Sequence, residues 1–125
     1  MRECMSQKSE KLPGEAYSEN IRARFWITGK HSGYIGVGRV ELLEKIEQLG
    51  SMSQAAKSMG MSYKKAWKLI EELNVMYDEP LIIKAKGGKA GGGSVLTVKG
   101  KSIIKKYKNV EQEIQSLLER LSSGL

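Results

Sequence analysis

The stretch from Ser51 to Leu73 constrains this 125-residue chain more than any other feature, because it encodes two helices with almost no chain between them. Ser53 is placed to N-cap a short helix, with Ala55, Ala56 and Met59 on its inner face. Gly60 ends that helix, since glycine takes the left-handed conformation such a stop needs. Ser62 then caps a further helix, whose Ala66, Ile70 and Leu73 fall at i, i+4 and i+7. Alanines at 55, 56 and 66 are small enough to let the two helices cross closely. Upstream, Gly38 to Gly50 carries Val40, Leu42, Leu43, Ile46 and Leu49 at helical spacing, with Gly50 as its stop. Three helices in succession, the second short and closed by a glycine turn, make a helix-turn-helix order.

The residues after Leu73 add a β element. Pro80 ends the helical stretch, Leu81-Ile-Ile-Lys84 reads as a strand, and Ser94-Val-Leu-Thr97 as its return partner. Lys86-Gly-Gly-Lys-Ala-Gly-Gly-Gly93 between them is a basic loop with almost no side chains to pack. Thr97 caps a long last helix, about 98–122, in which Ile103, Tyr107, Val110, Ile114, Leu117 and Leu121 are spaced 4-3-4-3-4. That is an a/d seam suited to a homodimer, with the Val40–Leu49 helix able to pack beside it. Ahead of the helices, Ile21 to Thr28 alternates in part and Tyr34 to Val37 follows a glycine-bounded turn, which predicts a β-hairpin. Its apolar faces would carry Phe25 or Trp26, Ile27, Tyr34 and Ile35. Residues 1–20 are polar and aperiodic, with Pro13-Gly14, and read as a flexible extension. The fold class expected is mainly α with small β: a winged helix-turn-helix over 21–125, with an N-terminal β-hairpin, a β wing and a C-terminal dimerisation helix.

Charge points to the partner. The chain carries a formal net charge of +7. Between Lys57 and Lys108 stand twelve lysines against four acidic residues, a net of +8, whereas the rest of the chain has nine basic and ten acidic residues, a net of −1. A positive field segregated in this way fits a polyanion, first of all double-stranded DNA. The candidate contacts are Ser53 and Gln54 on the second helix, and Ser62, Tyr63, Lys64, Lys65 and Lys68 on the outward half of the third. Free N–H groups and the dipole at that helix start add to them. Lys84, Lys86 and Lys89 of the wing would reach phosphates, giving affinity and register without sequence information. The competing reading is a basic module that docks an acidic protein or a membrane surface.

Gly50-Ser-Met-Ser-Gln-Ala-Ala-Lys-Ser-Met-Gly-Met-Ser-Tyr-Lys-Lys-Ala-Trp67, followed by Gly87-Gly-Lys-Ala-Gly-Gly-Gly-Ser-Val-Leu-Thr97, resembles the N-terminal DNA-binding domain of the ModE family of molybdate-responsive regulators. The similarity runs from about Phe25 to Leu121. More distantly the region resembles LysR-type regulators, with Pro80-Leu81 and Leu96-Thr97 in the corresponding places. The resemblance implies a dimer on a two-fold symmetric operator, a recognition helix beginning Ser62-Tyr63-Lys64-Lys65, and a wing from Lys84 to Ser94. ModE proper continues into oxyanion-binding domains where this chain reaches Leu125, so the expectation is a DNA-reading head without a cofactor, its signal supplied by a separate oxyanion-sensing partner or by a different stimulus.

Other signals carry less. Gly100-Lys101-Ser102 lacks the glycine five residues earlier that a phosphate loop requires, and no βαβ unit surrounds it. His31 stands in a turn, and one histidine with one cysteine (Cys4) offers too few parts for a metal site or a Cys–His nucleophile. No set of nucleophile, base and oxyanion donors marks an enzyme. Glu71 and Glu72 read as solvated charges, and Met52, Met59 and Met61 as gap fillers. The unpaired cysteine, the lack of an 18-residue apolar run and the lack of a signal peptide favour the cytoplasm.

Overall fold

The computed structural model describes residues 15–17, 20–84 and 93–125. Its elements are β1 (Glu15–Tyr17), β2 (Arg22–Arg24), β3 (Ile27–Thr28), β4 (Tyr34–Ile35), α1 (Val37–Leu49), α2 (Met52–Ser58), α3 (Tyr63–Asn74), β5 (Ile82–Lys84), β6 (Ser94–Leu96) and α4 (Val98–Leu121). This is the helix-turn-helix order with a β wing, and mostly helical with three small antiparallel hairpins.

The N-terminal β structure differs from the expected single hairpin. Ile27–Thr28 pairs with Tyr34–Ile35, but Arg22–Arg24 pairs with Glu15–Tyr17, a stretch the sequence assigned to the flexible extension. Three residues are too few to show a period, so only the partner strand reveals β1. That strand also packs along α4. The choice between Phe25 and Trp26 is resolved by position: Phe25 turns inward and stacks on Tyr107, ring centroids 4.8 Å apart, while Trp26 is exposed.

The core forms where α1, α3, α4 and the wing base meet. Val40, Leu42, Leu43 and Ile46 of α1 face Ile70 and Leu73 of α3, with Leu81, Leu96, Ile103 and Tyr107 closing the far side. Ile35 and Met76 complete it, and a hydrogen bond from the His31 amide to the Met76 carbonyl (3.0 Å) ties the β3–β4 turn to the end of α3. Arg39 of α1 reinforces this junction, pairing with Glu72 of α3 at 2.9 Å beneath the Tyr34 ring, 4.5 Å from its centroid.

Helix α4 has 24 residues and spans about 36 Å at the usual rise. Its seam divides. Ile103 and Tyr107 are buried in the protomer's own core, which removes them from any surface seam. The helix lies against α1 over this half, with Lys108 and Glu44 paired at 3.3 Å, so the first two rungs of the repeat face inward. Val110 and Ile114 are half-buried, and Leu117 and Leu121 are 40% and 54% exposed.

Candidate nucleic-acid interface

The short helix α2 is capped by Ser51, not by Ser53. Ser51 stays extended (φ −154°, ψ 125°) and its hydroxyl accepts from the Gln54 amide at 3.1 Å, which places Ser53 one residue inside the helix with its side chain free to face solvent. The turn follows through Gly60 at φ 70°, where a side chain would be strained, and the Met61 amide returns to the Ala56 carbonyl at 3.0 Å. Ser62 caps α3 as expected, accepting from the Lys65 amide at 3.0 Å. Ala66, Ile70 and Leu73 bury the inner face, so Tyr63, Lys64, Lys65 and Lys68 are left exposed on the outer one.

The wing is fixed to the helices at three points. Its strands pair Ile82 with Leu96, Ile83 with Val95 and Lys84 with Ser94. At the outer end the Ser94 amide donates to the Gly50 carbonyl at 3.1 Å. Gly93 passes so close to Gly50 that any Cβ there would collide with that carbonyl oxygen, so a glycine is required for the approach. At the inner end the last residue of α3, Asn74, clasps the wing strand. Its Oδ1 accepts from the amides of Leu81 (2.9 Å) and Ile82 (3.0 Å), and its Nδ2 donates to the Ile82 carbonyl at 3.0 Å. Thr97 supplies the third point: its amide donates to the Leu81 carbonyl (2.9 Å) and its hydroxyl to the Pro80 carbonyl (2.8 Å), while the same oxygen accepts from Gly100 to cap α4.

These restraints bring together residues from distant parts of the sequence. Ser53, Tyr63 and Lys84 line one shallow pocket of about 160 Å³ with Ser51, Met52, Gly93 and Ser94. Gln54, Lys64, Lys65 and Lys68 lie outside its lining, on the exposed surfaces of α2 and α3. Lys86 and Lys89 fall outside the described residues. The surface is therefore a helix start bearing hydroxyl, phenol and ammonium groups, beside a wing strand that ends in a lysine. Such a set can donate to phosphates and to base edges alike.

Two residues of this region escaped the sequence reading. Asn74 gave no signal, because its partners lie seven and eight residues on and meet it only after the chain turns at Pro80. Trp67 stands in the quoted Ser-Tyr-Lys-Lys-Ala-Trp run, yet no role was read from it. His31 lies outside the lining of this pocket and pairs with Asp78 (2.7 Å), as does Lys30 (2.6 Å), and both hold the Asp78 carboxyl below its ordinary value. Among the described residues no three histidine, cysteine or acidic side chains cluster as metal ligands, and no helix is long and apolar enough to cross a membrane.

The family model for the bacterial regulatory helix-turn-helix proteins of the lysR family matches residues 37–101, from the start of α1 through the wing to the first turn of α4. The chain belongs to that family. Within this lysR-family match, α2 and α3 make the helix-turn-helix and β5–β6 follow as the wing. The chain is also similar to the molybdenum transport protein ModE of Azotobacter vinelandii, 46% identical over 87 residues that make up 70% of this chain and 32% of that protein. It is 38% identical over 103 residues to the molybdenum-pterin-binding protein MopB of Rhodobacter capsulatus, covering 82% of this chain and 38% of MopB. With the DNA-binding transcriptional dual regulator ModE of Escherichia coli (strain K12) it shares 44% identity over 84 residues, 67% of this chain and 32% of the regulator. The chain thus spans about a third of the length of the curated relatives it matches.

Proposed function

We propose that this chain is a sequence-specific DNA-binding transcriptional regulator of the ModE type, reading a two-fold symmetric operator as a homodimer. The observation that carries this reading is the convergence of Ser53, Tyr63 and Lys84 on one surface, beside the lysine face of α3. In this reading the start of α3 enters the major groove. Tyr63 and Lys64 meet base edges, Lys65 and Lys68 meet phosphates, and Ser53 and Gln54 of α2 hold the backbone at the groove margin. Lys84, with Lys86 and Lys89 farther along the wing, neutralises phosphates beside the groove.

The distal half of α4 supplies the dimer contact, through Val110, Ile114, Leu117 and Leu121. Two exposed leucines four residues apart at the end of an amphipathic helix support that assignment. A two-fold pair would set two recognition helices about 34 Å apart, one turn of duplex. Relatives bear names that refer to molybdenum, and we extend this to the genes the chain would govern.

The test is selection from a random duplex pool, followed by titration of the selected duplex against salt. A DNA reader gives a preference of at least about 10³ over random duplex and a steep negative log–log salt slope. Equal affinity for duplex, heparin and acidic vesicles would instead favour the docking module.

A further inference from the structure

Beside α3 lies a second cleft of about 150 Å³, which shares Met52, Lys84 and Ser94 with the first and is lined also by Trp67, Ile70, Asn74, Ile82 and Ile83. The two clefts differ in chemistry: hydroxyls of Ser51 and Ser53 line the one that holds Tyr63, whereas Trp67, Ile70, Ile82 and Ile83 make the second mainly apolar, with Asn74 beside them. Trp67 is 41% exposed and Ile83 48%. The partly exposed indole, close in sequence to Lys64, Lys65 and Lys68, lies outside the buried core cluster to which Ile70 belongs. Large apolar side chains placed within a charged face mark a surface that a partner covers.

We infer that Trp67 is a specificity-determining residue, whose indole and the adjoining cleft receive the 5-methyl group of a thymine. The inference rests on the DNA reading above and adds what the helix would select. Of the four bases only thymine offers an apolar group in the major groove, the match for the Trp67 indole and Ile83, while Lys84 and Ser94 in the same lining can meet the polar atoms beside it. Lys84 lies in the lining of both clefts, where its ammonium can hold the neighbouring phosphate and so fix the depth at which the base edge meets Trp67. Tyr63, one turn earlier on the same face, meets the next step of the groove.

The experiment uses duplexes selected by the wild-type chain from a random pool, each thymine then replaced singly by deoxyuridine, which removes only the methyl group. Fluorescence anisotropy gives the affinity of the wild type, Trp67→Ala and Trp67→Gln for every replacement, with circular dichroism melts showing that each variant is folded. At one or two positions the wild type is expected to lose about fourfold, the worth of one buried methyl-sized group. Both Trp67 variants should bind the thymine and deoxyuridine duplexes there equally, while Lys64→Ala, though weaker, should keep the fourfold discrimination. A wild type indifferent to every methyl, or Trp67 variants that discriminate as the wild type does, would overturn the inference while leaving DNA binding intact. A pool from which no preferred duplex emerges would overturn the DNA reading and this inference with it.

Discussion

Replacing Asn74 by alanine removes three hydrogen bonds at once and should be the most damaging single change to a polar residue of the DNA-reading unit. The amides it leaves behind belong to Leu81, fully buried, and Ile82, 5% exposed. An unsatisfied buried amide costs about 1–3 kcal/mol. Two such donors, partly relieved by water reaching a site that is only part-buried, give a loss of about 2–4 kcal/mol. Against a total of about 5–15 kcal/mol for a domain, this is a large fraction. For a chain of this size the corresponding fall in melting temperature is on the order of 10 °C. Urea titration and thermal melting followed by far-ultraviolet circular dichroism measure both. The Asn74→Asp variant sharpens the test. Its carboxylate still accepts from both amides but faces the Ile82 carbonyl without a proton to donate, so its deficit relative to wild type should shrink as the pH falls and the carboxyl is protonated. A loss below about 0.5 kcal/mol for Asn74→Ala, the range of ordinary surface substitutions, would refute the clasp.

The remaining predictions concern the interface, the seam and the core. Lys64→Ala or Tyr63→Ala should erode preference for the selected duplex, whereas Lys86→Ala with Lys89→Ala should weaken all duplexes alike and flatten the log–log salt slope by about two; a wing pair that altered specificity alone would reverse the assignment. Leu117→Asp should halve the mass seen by sedimentation equilibrium without lowering the melting temperature of the protomer, since its side chain lies outside the protomer's core. Tyr107→Phe should be neutral or stabilising by up to about 1 kcal/mol, because the phenol oxygen is buried without a hydrogen-bond partner. Burial, with the Glu111 charge added, pushes the Tyr107 pKa up to about 12 from its usual value near 10. The folded state therefore favours the neutral phenol, and that contribution is complete below pH 10 and lost as the pH rises toward 12. Tyr107→Phe should accordingly move the alkaline unfolding midpoint upward, and an unchanged midpoint would show that another group governs it.

What the sequence revealed of this fold is what local chemistry decides. Ser62 and Thr97 are hydroxyl residues just ahead of periodic apolar runs, and both cap the helices they precede. Gly50 and Gly60 close α1 and α2 because both stops need a positive φ. Ser51 and Ser53 are chemically equivalent as caps, and only the backbone, extended at Ser51, chooses between them. The 4-3-4-3-4 repeat of α4 is real, but spacing cannot say which apolar surface a stripe meets. Its first half meets α1 and Phe25 of the same chain, and only its second half stays on the outside. The exposed lysine face of α3 was legible because Lys64 and Lys68 sit one turn apart opposite the apolar stripe. The Asn74 clasp and the β1–β2 pairing were not, since each depends on where the chain returns after a turn.

Thr97 gives the long helix a mechanical meaning. One hydroxyl both starts α4 and holds the Pro80 carbonyl at the root of the wing, so helix and wing share a pivot. Ile103 and Tyr107 anchor the first half of α4 in the core, so the helix holds its exposed Leu121 end at a set place about 36 Å from the root of the wing. Whatever binds that far end is thereby held at a fixed distance from the wing.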